Sequence, residues 1–319
     1  MPQDRQRPPM RRGGPDPSEP ATVFPLPKDT TSVARAHGVR CQNLGLWLDH
    51  FILYEQRGNR WEQSKQSKKR EAAPLNFQAI NPLLTACRKR WEAMLQSYEP
   101  DVARFTATPE WRVAIGLGAE HALETNLTLH RIYGTPFIPG SAVKGVTRAQ
   151  AFWDIATKLG LPEESLGNFD QLLSEGVEKT QQARWEEIGG GRDFAVWQEA
   201  SADFYKVFGT TESRGAVTFF DAYPTQAPKL KLDIMNPHYA PYYSDANQRT
   251  PPADYHSPVP VYFLTVERTP FSFALASHDR QLRGTAEAWL RAALTEIGIG
   301  SKTAAGYGFM EPAASKPIK

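Results

Sequence analysis

Gly298-Ile299-Gly300-Ser301-Lys302-Thr303-Ala304-Ala305-Gly306-Tyr307-Gly308 follows directly on a helical pattern near the C-terminus. Its four glycines in eleven residues remove Cβ atoms where a polyanion backbone would have to come close. Successive backbone N–H groups in such a loop form an anion-binding nest. Lys302 adds a point charge, Ser301 and Thr303 add hydroxyl donors, and Tyr307 offers a stacking face for a base. A nucleotide P-loop is excluded. It needs Gly-Lys followed directly by Ser or Thr, between a strand and a helix. Here Ser301 separates Gly300 from Lys302, and a helix precedes the loop. A helix C-cap leading by a tight turn into a last strand fits the composition equally well.

Working outward, Gly284–Ile297 turns Ala286, Trp289, Leu290, Ala293, Leu294 and Ile297 to one face, which predicts the helix that feeds the loop. Residues 261–275 read as two strands around a turn near Thr269-Pro270, and 215–221 as a further strand. Between them, 236–260 is rich in proline and tyrosine. Proline excludes a helix or a central strand there, so a long loop or an extended hairpin insertion is expected. Residues 104–118 read as a strand ending in glycines and 123–133 as another strand or extended segment, and 77–98 has helical spacing through Leu83, Leu84, Cys87, Trp91, Met94 and Leu95.

Tyr133-Gly134-Thr135-Pro136-Phe137-Ile138-Pro139-Gly140-Ser141-Ala142-Val143-Lys144-Gly145-Val146-Thr147-Arg148 is the second informative stretch. It opens a helix predicted over 139–160, with Ser141 as N-cap and Gly160 as its stop. A helix start presents free N–H groups and the positive end of the dipole to an anion. Lys144 and Arg148 lie four apart, so they share a face near that end, and Gly140 and Gly145 permit close approach. A capped core helix carrying two solvated cations is the competing reading.

The bulk composition narrows the field. The 37 basic and 35 acidic residues give a net charge of +2, so any nucleic-acid binding must come from local patches. Two cysteines, Cys41 and Cys87, are too few for a disulfide framework or a zinc site. His238, Asp245, Asp254 and His256 fit no compact metal pattern, so neither a metal nor a cofactor is expected. No apolar run nears the roughly 18 residues of a membrane span, and the N-terminus has no secretory signature, which points to the cytoplasm. Strands and helices do not alternate strictly, which predicts an α+β fold.

Taken together, Pro139-Gly140-Ser141, Lys144-Gly145 and the glycine-rich loop about 150 residues later resemble the RAMP superfamily of CRISPR RNA-binding proteins. Gly215-Ala216-Val217-Thr218-Phe219-Phe220-Asp221-Ala222 resembles the strand before that superfamily's variable insertion. Asp233-Ile234-Met235-Asn236-Pro237-His238-Tyr239, Tyr242-Tyr243, Pro251-Pro252, Asp254 and Ser257–Val266 resemble the sixth-subunit family of the type III-B (Cmr) effector complex. The likeness spans about residues 110–310.

The resemblance implies a ferredoxin-like, RRM-related core with insertions, one of them a β-hairpin thumb. Composition alone makes residues 1–30 a disordered Pro/Arg-rich tail, outside the likeness, and leaves 31–319 as one RNA-binding domain. Its insertions are a basic arm at 55–75, a helical segment at 161–206 and a thumb-like segment at 228–260. It also implies a non-catalytic subunit that holds the guide RNA (crRNA) backbone near its 3′ end. Its partners would be crRNA, target RNA and the other Cmr-type subunits, in antiviral defence. The guide's sequence would be read by base pairing, so the protein need only grip backbone. No RNP aromatic motif is present, which moves the expected contacts to loops and helix ends. Asp49 matches no cleavage motif. Two other functions are open: a metal-independent guide-processing endoribonuclease using His37 or His130, and a structural interaction subunit working through acid-rich 162–199.

Overall fold

Val102–Pro109 (β4) alternates between two faces, and both faces are covered. The structure, a computed structural model, describes residues 22–37, 42–63 apart from 52 and 58, 82–119, 125–174, and 178–313 apart from 246, 248, 254, 256 and 259. The chain divides into two compact units: Met1–Cys41 with Trp47–Ala73, and Gln42–Leu46 with Pro74–Lys319.

The first unit pairs Thr22–Val23 (β1) with Tyr54–Arg57 (β2), and β2 with Arg60–Gln63 (β3), all antiparallel. Lys28–His37 (α1) is its helix, and Phe24, Ala34 and Leu53 form its core with Leu26 and Phe51 against them. Residues 22–30, expected in the tail, are therefore structured, because Phe24 supplies a core side chain. The basic arm begins as the β2–β3 hairpin, and its continuation past residue 63 lies outside the described residues, as does the tail before residue 22. Asp49 is an exposed residue of Leu44–His50 (α2), not of a strand.

In the second unit, the main sheet has the order β11-β4-β10-β6, and every pairing is antiparallel. β10 is Phe271–Ala276, β6 is Thr218–Phe219 and β11 is Met310–Pro312. Tyr223–Pro224 (β7) continues the β6 edge along β10. Pro82–Gln96 (α3) covers one face: Cys87, Trp91 and Leu95 pack on Val102, Ala274 and Ala276. Arg280–Glu296 (α9) covers the other, where Phe105 and Phe273 stack at 5.5 Å beneath the Arg291 guanidinium. Asp279 caps α9 by accepting from the Gln281 and Leu282 N–H groups.

A second sheet joins Arg112–Val113 (β5) to Val261–Glu267 (β9) and β9 to Lys229–Met235 (β8). β8 and β9 form a hairpin paired from Lys229↔Glu267 to Met235↔Val261, with a short helix, Ala240–Ser244 (α8), between the strands. The expected turn at Thr269-Pro270 is present, and there the chain changes sheets. Residues 125–133, part of the stretch expected as a strand or extended segment, form no strand and are held by an isolated bridge between Leu129 and Pro136.

Gly140–Leu159 (α4) runs as the spacing predicts and ends at Gly160 in the left-handed conformation. The helical segment that follows contains three helices: Leu166–Ser174 (α5), Glu178–Ile188 (α6) and Phe194–Phe208 (α7). They are joined by a stacked Trp185–Trp197 pair and an edge contact of Phe169 on Trp197. Among the described residues no helix is long and apolar enough to cross a membrane.

Candidate functional site

The glycine-rich loop leaves α9 through Gly298, whose N–H donates to Ala293 O at 2.9 Å with φ at +78°. It then laces onto β5. Ser301 N–H donates to Ala114 O (2.8 Å), Gly308 N–H to Arg112 O (2.8 Å) and Ile299 N–H to Gly308 O (2.9 Å). A Cβ on Gly300 would fall 2.4 Å from Ala114 O, and one on Gly308 2.1 Å from Ile299 O. The close approaches that these glycines permit are therefore to their own chain. A Thr303–Ala305 turn uses the N–H groups of Ala305 and Gly306, and Tyr307 N–H bonds back to Lys302 O. Of the expected nest, the N–H groups of Gly300, Lys302, Thr303 and Ala304 have no backbone partner among the described residues.

Tyr307 does not offer the stacking face that the sequence suggested. It is 6% exposed, and its ring lies against Trp111 (4.9 Å) and Phe263 (5.7 Å). Its hydroxyl donates to Asp233 Oδ2 at 2.8 Å, which brings the loop to the β8–β9 hairpin. Burial, then the bond to the anionic Asp233, pushes the phenol up to about 12. Arg112 reaches the same Asp233 oxygen with Nη1 and Glu267 with Nε at 3.3 Å. Burial alone would raise the Asp233 carboxyl. The hydrogen bonds from Tyr307, Ile234 N–H and Arg112 outweigh it and hold the carboxyl below the usual range. Arg112, Asp233, Glu267 and Tyr307 thus satisfy one another.

Lys302 is different. It sits in the left-handed conformation, φ +62°, which costs a non-glycine residue on the order of 1 kcal/mol. Among the described residues its ammonium meets no carboxylate; its neighbours are Met235 Sδ at 3.8 Å and the Phe263 ring at 5.8 Å. Lys231, exposed on the same side of β8 as Asp233 and Met235, also has no acidic partner among the described residues. Sequence reasoning missed Lys231 and Trp111. Nothing local marks either residue; only the pairing of β8 with β9 and of β5 with β9 brings them beside the loop.

At the helix start, Pro139 occupies the N-cap position and provides no side-chain cap. Ser141 lies inside the helix and is exposed. Asp221 does the work expected of Ser141: its Oδ1 accepts from Gly140 N–H at 2.7 Å. The carboxylate already occupies part of the place where a phosphate would sit. A Cβ on Gly140 would fall 2.5 Å from Phe219 O, so that glycine too serves an internal approach. Gly145 is exposed, with open space around it. Lys144 and Arg148 share a face as predicted, and both are engaged. Lys144 Nζ donates to Phe208 O at 2.9 Å, at the end of α7. Arg148 pairs with Asp170 (2.8 Å) and Ser174 (3.1 Å) and lies over the Phe204 ring at 5.3 Å.

His130 lies among the rings of Tyr133, Phe137 and Tyr223. Its Nδ1 accepts from the N–H groups of Ile132 and Tyr133 at 3.2 and 3.4 Å, which assigns the ring proton to Nε2. Burial lowers its pKa from the usual value, against the opposing pull of Asp221. The side chain of His37 lies outside the described residues, as do Cys41, Asp254 and His256. Asp245 accepts from the N–H groups of Asn247, Arg249 and Thr250 and so folds its own loop. Cys87 is buried on the sheet-facing side of α3, and burial raises its thiol to about 11. Among the described residues no three acidic, histidine or cysteine side chains come together to hold a metal.

A family model described as the RAMP superfamily matches residues 77–311. The CRISPR system Cmr subunit Cmr6 of Pyrococcus furiosus is 35% identical over 238 residues, covering 67% of this chain and 68% of that protein. The CRISPR system CMR subunit Cmr6 of Saccharolobus solfataricus is 22% identical over 258 residues, covering 78% of this chain and 72% of its own. Among solved structures, a chain of the type III-B Cmr-β bound to cognate target RNA shares the fold. Its TM-score is 0.52 at 21% identity, covering 80% of this chain and 75% of that chain. The chain belongs to the RAMP superfamily and, within it, to the Cmr6 family of CRISPR Cmr-system subunits.

Proposed function

We propose that the chain is an RNA-binding subunit of a type III-B CRISPR ribonucleoprotein of the cytoplasm. It grips the crRNA backbone near its 3′ end, contributes to target RNA capture in antiviral defence, and cuts no RNA itself. Its partners are crRNA, target RNA and the other Cmr-type subunits, as membership in the Cmr6 family supports. The order β11-β4-β10-β6 supports a ferredoxin-like, RRM-related core, and the β8–β9 hairpin is read as its thumb.

The observation that carries the proposal is Lys302. A lysine held in a strained conformation at a glycine-rich turn, with no acid on its ammonium, keeps its charge available for a phosphate. Because α3 and α9 cover the faces of the main sheet, RNA is directed to this loop, away from an open sheet. The helix start is the second contact, through exposed Ser141 and Gly145. Lys144 and Arg148 hold the scaffold around it.

Affinity for guide RNA, measured against salt, tests this. Lys302→Ala should weaken binding and reduce the salt slope by about 1, the mark of one lost phosphate contact. If Lys302→Ala binds guide RNA with wild-type affinity and slope, the assignment fails.

A further inference from the structure

We infer that Trp111 is a stacking platform for an unpaired RNA base beside the glycine-rich loop; the inference rests on the RNA-binding role proposed above. Trp111 stands at the corner between β4 and β5 and is 41% exposed, unusual for a tryptophan beside a packed core. Its backbone is fixed on both sides. Arg268 N–H donates to Trp111 O (3.0 Å), Glu110 N–H to Phe309 O (3.0 Å) and Gly308 N–H to Arg112 O (2.8 Å). Its ring rests against Tyr307 at 4.9 Å and 39°, and Tyr307 is itself pinned by Asp233. The indole is therefore held in place before any ligand arrives, so little is lost in ordering it.

Its neighbours are cations. The Arg112 guanidinium lies 4.9 Å from the Trp111 ring. Arg268 is exposed, bonds to Glu110 O at 3.3 Å and has no carboxylate partner among the described residues. Lys302 belongs to the same loop as Tyr307, whose N–H bonds to Lys302 O. An exposed, rigid aromatic ring set among cations suits single-stranded nucleic acid, with a base on the ring and phosphates on the charges. A protein partner covering Trp111 would have to bring its own carboxylate to Arg268, which pairs with none among the described residues, whereas RNA brings a phosphate with every base.

The test titrates the full chain with a labelled single-stranded guide RNA and with an abasic RNA of the same length. Wild type should bind the abasic RNA about tenfold more weakly. Trp111→Ala should lose about tenfold on the normal RNA, keep the wild-type salt slope, and bind the two RNAs alike. Trp111→Phe, which keeps a ring, should retain most of the affinity. The exposed position of Trp111 lets these variants fold. If wild type binds RNA and Trp111→Ala binds it equally tightly, the stacking role is overturned while the RNA-binding role stands. Unchanged RNA affinity with loss of assembly with the other subunits would assign Trp111 to a protein contact and overturn it too. If wild type binds neither RNA, the RNA-binding role falls and the stacking role with it.

Discussion

Gly300 and Gly145 sit in the two motifs that first suggested RNA binding, and the fold uses them differently. Gly300 has φ at +100° and Ala114 O where its Cβ would be, so alanine there is both strained and in collision with backbone. Gly145 is helical with open space around it. Gly300→Ala should cost about 2 kcal/mol or more in urea unfolding. Gly145→Ala should gain up to about 1 kcal/mol, the helix propensity difference. Equal unfolding midpoints for the two variants would contradict the packing of the loop on β5. The sequence displayed that these glycines mattered but not to whom they were close, because Ala114 lies far away in the chain. Tyr307 misled for the same reason: what covers its ring comes from Trp111 and Phe263, on two other strands.

At the scale of elements, α4 and α9 were readable because each satisfies itself locally, with an apolar face at helical period and a defined stop. The strand at 215–221 was readable only in part. Asp221 and Ala222 turn away to Gly140 and Ile138, splitting the edge into β6 and β7. In the sheet β5-β9-β8 the hairpin of β8 and β9 was foreshadowed, but the pairing of β5 with β9 was hidden, since it joins residues more than a hundred positions apart. Lys144 shows how an element recruits a cation that looks solvated. Its ammonium donates to Phe208 O at the C-terminus of α7, where the helix dipole favours positive charge. Lys144→Met, which keeps most of the side-chain bulk, should therefore destabilise the chain by about 1 kcal/mol. The salt slope of its RNA binding should stay at the wild-type value. A slope reduced by about 1 without a change in stability would instead make Lys144 a phosphate contact.

Across the whole C-terminal unit, the long insertion between β8 and β9 separates stability from function. The hairpin is paired as far as Met235↔Val261, and its base is tied down by Val266, which is fully buried, and by the Arg112–Asp233–Tyr307 network. Beyond that register the chain makes a short helix and an Asp245-centred turn whose hydrogen bonds are local. Tyr243 and Tyr255 are strongly exposed there, as a surface awaiting RNA or a neighbouring subunit would be. Loop length contributes little to stability, because closure entropy grows only with its logarithm. Replacing residues 236–260 with Asn-Gly, the two-residue turn that suits a hairpin, should leave the thermal midpoint within a few degrees of wild type. On the proposed function, the assembled ribonucleoprotein carrying this variant should retain crRNA, the ligand proposed for the glycine-rich loop, and capture less target RNA. A pull-down that recovers target RNA at the wild-type level would show that the insertion is not a thumb. A large fall in the thermal midpoint would show that the hairpin's stability depends on contacts beyond Met235↔Val261.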